Sequence, residues 1–448
     1  MALTCGHGHE PKAAPYGYSH KPQQRSACLR IPVRNQRAAS QPRRYVDRLR
    51  AMTDEASDEA VSSSIREPRF LRLHLTNFLS YRSAALDFAN FVALVGPNAS
   101  GKSNAVAAIK LLREIPFHGL PTAIARRGGF DQLRHRSSGR PYNPALRVEF
   151  QYPNSDLSFY ELSLSTQAGK RYTVKRERGI VNFGTIHASF SNTHGRFTWH
   201  EIDSTGDISS SEERTPGFRR VPPGQSAITA AGSLGTYLVS EVLQSMQAVE
   251  INPNRVGDLQ EPSSTREFEP DGSNVASIFE SFEPAQRAEL VDELSAIVPG
   301  IERIEVRRLA DKVTLAFFQE TENGVREFLA KQMSDGTLRA FGILVATLQS
   351  RRPSLLVIEE PEIAIHLGAM RTLVDILRQQ SEVSQVLITT HSADIIDALD
   401  IDALRVVWSE SGSSHISRVA AHTRDPVRKG LITPGELLRS DSLDAASA

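Results

Sequence analysis

The sequence has little cysteine: its 448 residues include two, Cys5 and Cys28, both near the amino terminus. The chain after Cys28 therefore cannot hold a disulfide framework, and its composition suits a reducing cytoplasm, where we expect the protein to reside. The sequence also lacks an apolar run of the roughly 18–20 residues that a membrane-spanning helix needs. Its N-terminus lacks the apolar core of a secretory signal. These absences argue against disulfide-stapled, secreted and membrane-embedded classes of protein.

Net charge is also absent, because 52 Lys and Arg residues balance 52 Asp and Glu residues. Residues 1–50 hold ten of the basic and two of the acidic residues, which leaves 42 basic against 50 acidic residues in the remainder. Bulk charge therefore gives no indication that the body of the chain binds nucleic acid. We predict that residues 1–65 form a disordered basic leader. This leader could be a native tail, a nucleic-acid arm or a transit peptide. It could also be non-native, because the sequence that begins at Met52 looks like the ordinary start of a protein.

The sequence shows no internal repeat and no heptad run, which excludes a long coiled-coil arm. With 40% hydrophobic residues, the chain can bury a large core. Apolar spacing and turn residues predict the secondary structure. The predicted elements are two strands within 69–88 joined by "NFLSY", a strand at 91–95, a helix at 104–116 ended by Pro116, antiparallel strands across 146–200, a mobile stretch at 203–225, helices at 234–249 and 273–298, and strands at 301–308 and 312–320.

The stretch "GPNASGKSN" between the strand at 91–95 and the following helix predicts a phosphate-binding loop. Its glycines let backbone N–H groups wrap a polyphosphate, and the start of the helix adds a favourable dipole. We expect the Lys102 ammonium to reach the β- and γ-phosphates of ATP and the Ser103 hydroxyl to bind Mg²⁺. The candidate nucleotide-binding residues of this loop are Gly96, Pro97, Asn98, Ala99, Ser100, Gly101, Lys102, Ser103 and Asn104.

Two further apolar strands end in polar residues that could complete such a site. "SLLVIEEPE" places Glu359 and Glu360 at the end of a buried strand, where Glu359 is the natural Mg²⁺-water ligand and Glu360 the natural base. "VLITTHS" ends in His391, which could touch the γ-phosphate or could be a structural residue or helix cap. "QMSDGTLR" places Ser334 and Gly336 at a helix start, which could bind an anion or serve only as an N-cap.

The order "NFLSY", "GPNASGKSN", "MSDGTLR", "LLVIEEPE" and "TTHS" resembles the ABC-type ATPase heads of the RecF/SMC kind, and more closely the stand-alone bacterial AAA-family ATPases related to them. The resemblance covers residues 69–440. It implies an α/β P-loop NTPase head with a mixed or parallel core sheet, an antiparallel β subdomain and a helical subdomain. The implied segments are a P-loop lobe at 69–135, a β segment at 146–200, an insertion at 226–330, a lobe with the later motifs at 331–425, and a disordered tail at 441–448.

The same resemblance assigns roles to residues. It implies that residues 333–337 are the signature, that His391 is the switch histidine and that Gln132 is a candidate for the Q-loop glutamine. The acid at 359 is a glutamate where such heads usually carry aspartate, and "AIHLG" lacks the usual proline after its histidine. The roles of Glu359 and Glu360, and the geometry of the loop that follows them, therefore stay open.

In such heads the signature caps the γ-phosphate held by a second subunit. The resemblance therefore implies a homodimer closed by ATP, acting as an ATP-driven switch in DNA maintenance or defence. DNA and a separate effector protein are the candidate partners. The alternatives are a scaffold that binds ATP without hydrolysing it and an ATPase subunit of a larger complex.

Overall fold

The structure is a computed structural model that describes residues 67–136, 142–167, 171–203, 206–210, 220–265, 267–440 and 442–446. The predicted leader at 1–65, with its candidate start at Met52, lies outside the described residues. Of the stretch at 203–225, predicted to be mobile, residues 204–205 and 211–219 lie outside them as well.

The described residues form seventeen strands and thirteen α-helices. The strands are β1 (Arg69–Phe78), β2 (Tyr81–Asp87), β3 (Phe91–Val95), β4 (Ala145–Gln151), β5 (Ser158–Gln167), β6 (Arg171–Phe183), β7 (Ile186–Thr193), β8 (Arg196–Asp203), β9 (Gly206–Ser210), β10 (Met246–Val249), β11 (Ile301–Leu309), β12 (Lys312–Thr321), β13 (Gly324–Leu329), β14 (Leu355–Glu359), β15 (Gln385–Thr390), β16 (Leu404–Glu410) and β17 (Ser413–Arg418). The α-helices are α1 (Lys102–His118), α2 (Leu120–Ala125), α3 (Phe130–Leu133), α4 (Ala227–Ala230), α5 (Leu234–Gln244), α6 (Pro253–Gly257), α7 (Val275–Glu280), α8 (Pro284–Ile297), α9 (Asp335–Leu348), α10 (Leu367–Gln380), α11 (Ala393–Asp397), α12 (Ala421–Arg428) and α13 (Pro434–Arg439).

A six-stranded sheet forms the centre of the fold, in the order β10-β14-β15-β3-β16-β17. Its strands pair in parallel except β17, which is antiparallel to β16. Such strands are covered on both faces and read as continuous apolar runs, and all five residues of β3 are buried. The carboxyl ends of β3, β14 and β15 lie side by side, so the segments that follow these strands share one edge of the sheet.

An eight-stranded antiparallel sheet runs in the order β2-β1-β4-β5-β6-β7-β8-β9. The two-residue period predicted across 146–200 is observed, because buried and partly buried residues alternate along β4, β5 and β7. A third sheet, β11-β12-β13, contains the two strands predicted after residue 300. Its third strand was missed because β13 is largely exposed and has no apolar alternation.

Two hydrophobic cores meet at the central sheet. Val92 and Leu94 of β3 pack with α1 and the antiparallel sheet in one core. Ala93 and Val95 pack with α8, α9 and α10 in the other. Successive residues of a strand point to opposite faces, so β3 contributes to both cores.

Several predicted boundaries are wrong for local reasons. Helix α1 continues through Pro116 and ends at Gly119, whose φ of +76° suits a residue without Cβ. The helix predicted at 234–249 ends at Gln244, and Met246–Val249 form the edge strand β10. A buried run as short as this one is compatible with either a helix or a strand.

The helix predicted at 273–298 is broken before Pro284, which starts α8 because proline lacks the N–H that a continuing helix requires. The carboxyl-terminal tail is also ordered in part. Ala445 pairs with Val419, and the Ala446 N–H donates to the Arg418 carbonyl. Within the stretch at 203–225 that was predicted to be mobile, residues 206–210 form β9.

Candidate functional site

The loop from Gly96 to Ser103 connects β3 to α1, as the sequence predicted. Lys102 is the first residue of α1 and is buried. Its Nζ donates to the carbonyls of Gly96, at 2.7 Å, and Pro97, at 3.0 Å. The buried Ser100 Oγ has no hydrogen-bond partner within the described part of the chain. The loop is therefore folded around its own lysine and carries an unused hydroxyl.

The loop packs closely against β16 and β17. Gly96 has φ +152°, and a Cβ on it would lie 2.1 Å from the Val407 carbonyl oxygen. Gly101 has φ +119°, and its Cβ would lie 2.4 Å from Ser414 Oγ. Both the conformation and the contact require glycine, which explains the glycine spacing of the motif.

The β1–β2 hairpin is hydrogen-bonded to this loop and to the start of α1, and these contacts were not predicted from the sequence. The hydroxyl of buried Tyr81 donates to the Gly101 carbonyl at 2.8 Å. Asn104 Nδ2 donates to Ser80 Oγ at 2.7 Å, and Ser414 Oγ donates to the same atom at 2.7 Å. Ser80 and Tyr81 belong to the "NFLSY" stretch, which was predicted to be a turn and counted in the resemblance, but was given no contact with the loop.

The two carboxylates at the end of β14 have different neighbours. Glu359 Oε1 accepts from Lys110 Nζ of α1 at 2.6 Å, and the same Nζ lies 3.2 Å from Glu250 Oε2. Burial acts to lower the pKa of Lys110, but the bond to Glu359 and the charges of Glu359 and Glu250 outweigh it and the pKa is raised. Lys110 therefore remains a cation beside Glu359.

Glu360 has a different neighbour, His391. Its φ of +46° is unusual for a residue with a Cβ, and its N–H donates to the Thr389 carbonyl at 3.0 Å, which holds the turn. Glu360 Oε1 lies 3.7 Å from Nδ1 of His391, whose imidazole is half-exposed at the end of β15. The structure thus joins Glu360 to His391, and Glu359 to Lys110.

A third carboxylate, Glu362, completes this corner and was quoted in the sequence without a role. Its Oε1 accepts from Thr390 Oγ1 at 2.7 Å and from the His391 N–H at 3.3 Å. Burial lowers the pKa of Lys102, while the charges of Glu360 and Glu362 oppose that shift. Lys102, Glu360, Glu362 and His391 therefore form one electrostatic group. The signal available in the sequence was the repeated acid in "EEPE".

Ser334 serves as the N-cap of α9. Its Oγ accepts from the Thr337 N–H at 3.2 Å and lies 2.9 Å from Thr337 Oγ1. A Cβ on Gly336 would lie 2.2 Å from the Ala364 carbonyl oxygen, so the start of α9 packs closely on the segment after β14. Ser334 and Gly336 line a cavity of about 400 Å³ together with His366. Among the described residues, no hydrogen bond joins this segment to the Gly96–Ser103 loop.

Arg339, one turn into α9, was also missed. Its guanidinium donates to the carbonyls of Glu359 and Glu360, both at 3.2 Å, and to the Ile251 carbonyl at 3.4 Å. Arg339 therefore connects the helix that Ser334 caps to the turn that carries Glu360.

Gln132 is not brought into this group by any hydrogen bond in the described ranges. It lies in the short helix α3, is exposed, and its Oε1 accepts from Arg136 Nη2 at 2.9 Å. Its candidacy as the Q-loop glutamine therefore receives no support from contacts.

The described ranges contain no group of three or more His, Cys, Asp or Glu residues arranged to hold a metal ion. Mg²⁺ is commonly bound by one or two carboxylates together with substrate phosphates and water, so Ser103 and Glu359 fit the donor set of a shared site. No helix among the described residues is long and apolar enough to cross a membrane.

A protein-family model described as "AAA domain, putative AbiEii toxin, Type IV TA system" matches residues 91–397. The chain is also similar to structural maintenance of chromosomes proteins 1 and 4 of Schizosaccharomyces pombe. The identities are 27% over 124 residues and 28% over 146 residues, which cover 26% and 31% of this chain. The matches cover 10% of each relative, so the chain corresponds to a small part of the curated relatives' length.

Two solved structures share the fold. The Smc head bound to the C-winged helix domain of ScpA is 13% identical, with a TM-score of 0.51 over 79% of this chain and 98% of that one. The Smc head with an extended coiled coil from Pyrococcus furiosus, bound to the C-terminal domain of ScpA, is 11% identical, with a TM-score of 0.52 over 81% and 99%. These likenesses confirm the predicted α/β fold of an ABC/SMC-like ATPase head.

Proposed function

The chain belongs to the AAA-domain family whose model matches residues 91–397, and from that membership we propose that it binds and hydrolyses ATP. The observation that carries the proposal is the convergence of Lys102, Glu360 and His391 at one edge of the central sheet. A cation beside a glycine loop and a carboxylate that can orient water are groups that phosphoryl transfer to water uses, and an imidazole next to them can donate to a phosphate oxygen.

In this proposal the Gly96–Ser103 loop wraps the phosphates with its backbone N–H groups. Lys102 exchanges its two loop carbonyls for phosphate oxygens, which are stronger acceptors because they are charged. Glu360 orients the attacking water and accepts its proton, and His391 donates to the γ-phosphate. The half-exposed imidazole is accessible for this contact.

Ser103 and Glu359 would hold Mg²⁺. When bound, the ion would neutralise charge that develops on the phosphate oxygens. The loop fits a polyphosphate because Gly96 and Gly101 let its backbone fold tightly against β16 and β17, and because the buried Ser100 hydroxyl is unpaired in the described structure.

We propose further that the site is completed by a second copy of the chain. Ser334 and Gly336 stand at the start of a 14-residue helix and line a cavity beside it. A helix start favours negative charge, so this surface suits the γ-phosphate of a partner subunit. A two-fold dimer would then enclose two nucleotides.

The action of such a switch would be cytoplasmic and directed at DNA or at a separate effector protein. The two similar Smc heads are bound to domains of ScpA, and the family description names a toxin system. Both facts favour a protein partner, while the similarity to chromosome-maintenance proteins favours DNA.

One observation favours the binding-only alternative: Lys110 contacts Glu359, the residue expected to act on Mg²⁺. The test is Mg²⁺-dependent phosphate release from ATP by the full chain, with and without duplex DNA. Glu360→Gln should abolish most of the release, and Glu382→Gln, at an exposed position, is the matched control. Equal release by wild type and Glu360→Gln would refute the hydrolytic mechanism, and ATP binding without release would establish the scaffold.

A further inference from the structure

Glu362 is an acidic side chain buried in the middle of the site, and neither the motifs nor the mechanism above gives it a task. Its side chain is 6% exposed. A carboxylate at that depth is costly unless hydrogen bonds and opposite charges compensate it. The neighbours of Glu362 therefore indicate what it does.

One carboxylate oxygen of Glu362 organises the segment that carries His391. Oε1 accepts from Thr390 Oγ1 at 2.7 Å and from the His391 N–H at 3.3 Å, and it lies 3.7 Å from His391 Nδ1. The Thr390 hydroxyl in turn accepts from the Ser392 N–H at 3.0 Å, and Ser392 caps α11. The backbone on both sides of His391 is thus tied directly or indirectly to one oxygen atom.

The second carboxylate oxygen of Glu362 makes no such contacts among the described residues. Glu362 Oε2 is buried and has no hydrogen-bond partner in the described structure. The negative charge of Glu362 also acts on Lys102 and Arg339, since it opposes the burial-induced fall in the pKa of each. Buried side-chain oxygens are hydrogen-bonded in the large majority of cases, so the unpaired Oε2 calls for an explanation beyond packing.

We propose that Glu362 is a positioning residue for ATP hydrolysis: it orients His391 through the bonds that its Oε1 accepts from the Thr390 hydroxyl and the His391 N–H. The proposal rests on the function proposed above. Glu362 does not contact the nucleotide in this scheme. It acts through His391, whose imidazole it holds beside Glu360.

Glutamine at 362 separates this role from packing. Its shape is almost that of glutamate, but its amide oxygen is neutral and is therefore a weaker acceptor for the Thr390 hydroxyl and the His391 N–H than a carboxylate oxygen. The experiment measures kcat and KM for ATP, ADP affinity by calorimetry, and thermal unfolding for the wild type and Glu362→Gln. Glu382→Gln is the control, because it makes the same chemical change at an exposed position.

The expected result is a kcat lowered about 10- to 100-fold, with KM and ADP affinity within about twofold of wild type. A double-mutant cycle shows whether the effect passes through His391. In a His391→Ala background, Glu362→Gln should lower kcat by much less, because the residue that it positions is already missing.

Unchanged kcat in Glu362→Gln, with an active wild type, would overturn this inference and leave the proposed function intact. Parallel losses of kcat and ADP affinity, or additive effects in the cycle, would also overturn it, because they indicate a structural role. A wild type that does not hydrolyse ATP would instead remove the proposed function. Crystal structures then decide: displacement of the His391 ring by about 1 Å in Glu362→Ala supports the positioning role, and an unmoved ring refutes it.

Discussion

Replacing Lys102 with alanine should remove most of the affinity for ATP. The Nζ makes two hydrogen bonds to loop carbonyls, at 2.7 and 3.0 Å, and would exchange them for contacts to phosphate. Hydrogen bonds that involve a charged group contribute about 1.5–3 kcal/mol each, and a bond from the ammonium to a charged phosphate lies nearer the upper end of that range than one to a carbonyl. The net loss for two contacts is therefore about 1–3 kcal/mol, which corresponds to a roughly 5- to 150-fold weaker Kd.

Calorimetry with ATP and ADP measures this loss directly. Lys429→Ala is the matched control, because Lys429 is exposed at the end of α12. Thermal unfolding without nucleotide should be measured for both variants, since Lys102→Ala also removes the two bonds that shape the loop. A folded Lys102→Ala protein that binds ATP as tightly as wild type would show that the Gly96–Ser103 loop is not the phosphate site.

Three further predictions concern hydrolysis, the shared site and stability. The Glu360→Gln variant should bind ATP and accumulate as a dimer in light scattering, because the glutamine amide cannot accept the proton from water. If Glu359→Gln accumulates as the ATP-bound dimer instead, the roles of Glu359 and Glu360 are reversed. Ser334→Arg should block dimer closure, while the Gly96–Ser103 loop of the variant still binds nucleotide. Mixing Ser334→Arg with Lys102→Ala protomers should restore some ATPase activity. Normal activity of Ser334→Arg as a dilute monomer would contradict the shared site. Burial raises the pKa of Glu293 to about 7, above its unfolded value, so its contribution to stability should fall as pH rises from about 4.5 to 7. Glu293→Gln should therefore stabilise the protein at pH 8 by on the order of 1 kcal/mol, after allowance for partial exposure, and equal pH profiles of denaturant unfolding would refute this.

The local parts of the site could be predicted because each is encoded in a short stretch. The loop before Lys102 has its own glycine spacing, and the strand before Glu360 is continuously apolar. Contacts across the chain could not be predicted in this way. The Lys110–Glu359 pair joins residues 249 positions apart, and nothing in the P-loop helix marks Lys110 as its partner.

The errors in the predicted secondary structure have the same origin: they depend on contacts between distant parts of the chain. Met246–Val249 are buried because β14 lies beside them, and a run of four residues without that partner fits a helix as well. The tail residues Ala445 and Ala446 are ordered by backbone pairing to β17, which leaves no mark on side-chain chemistry. Glu362 was missed because a single buried acid has meaning only beside Thr390 and His391.

The membership of β3 in both cores has a consequence for how the molecule melts. Val92 and Leu94 cannot leave one core without displacing Ala93 and Val95 from the other, so the two cores should unfold in a single cooperative transition. The candidate phosphate loop is the direct continuation of this strand. Nucleotide bound there would stabilise the whole folded unit by mass action, and calorimetric scans should show one transition that moves to higher temperature as ATP is added.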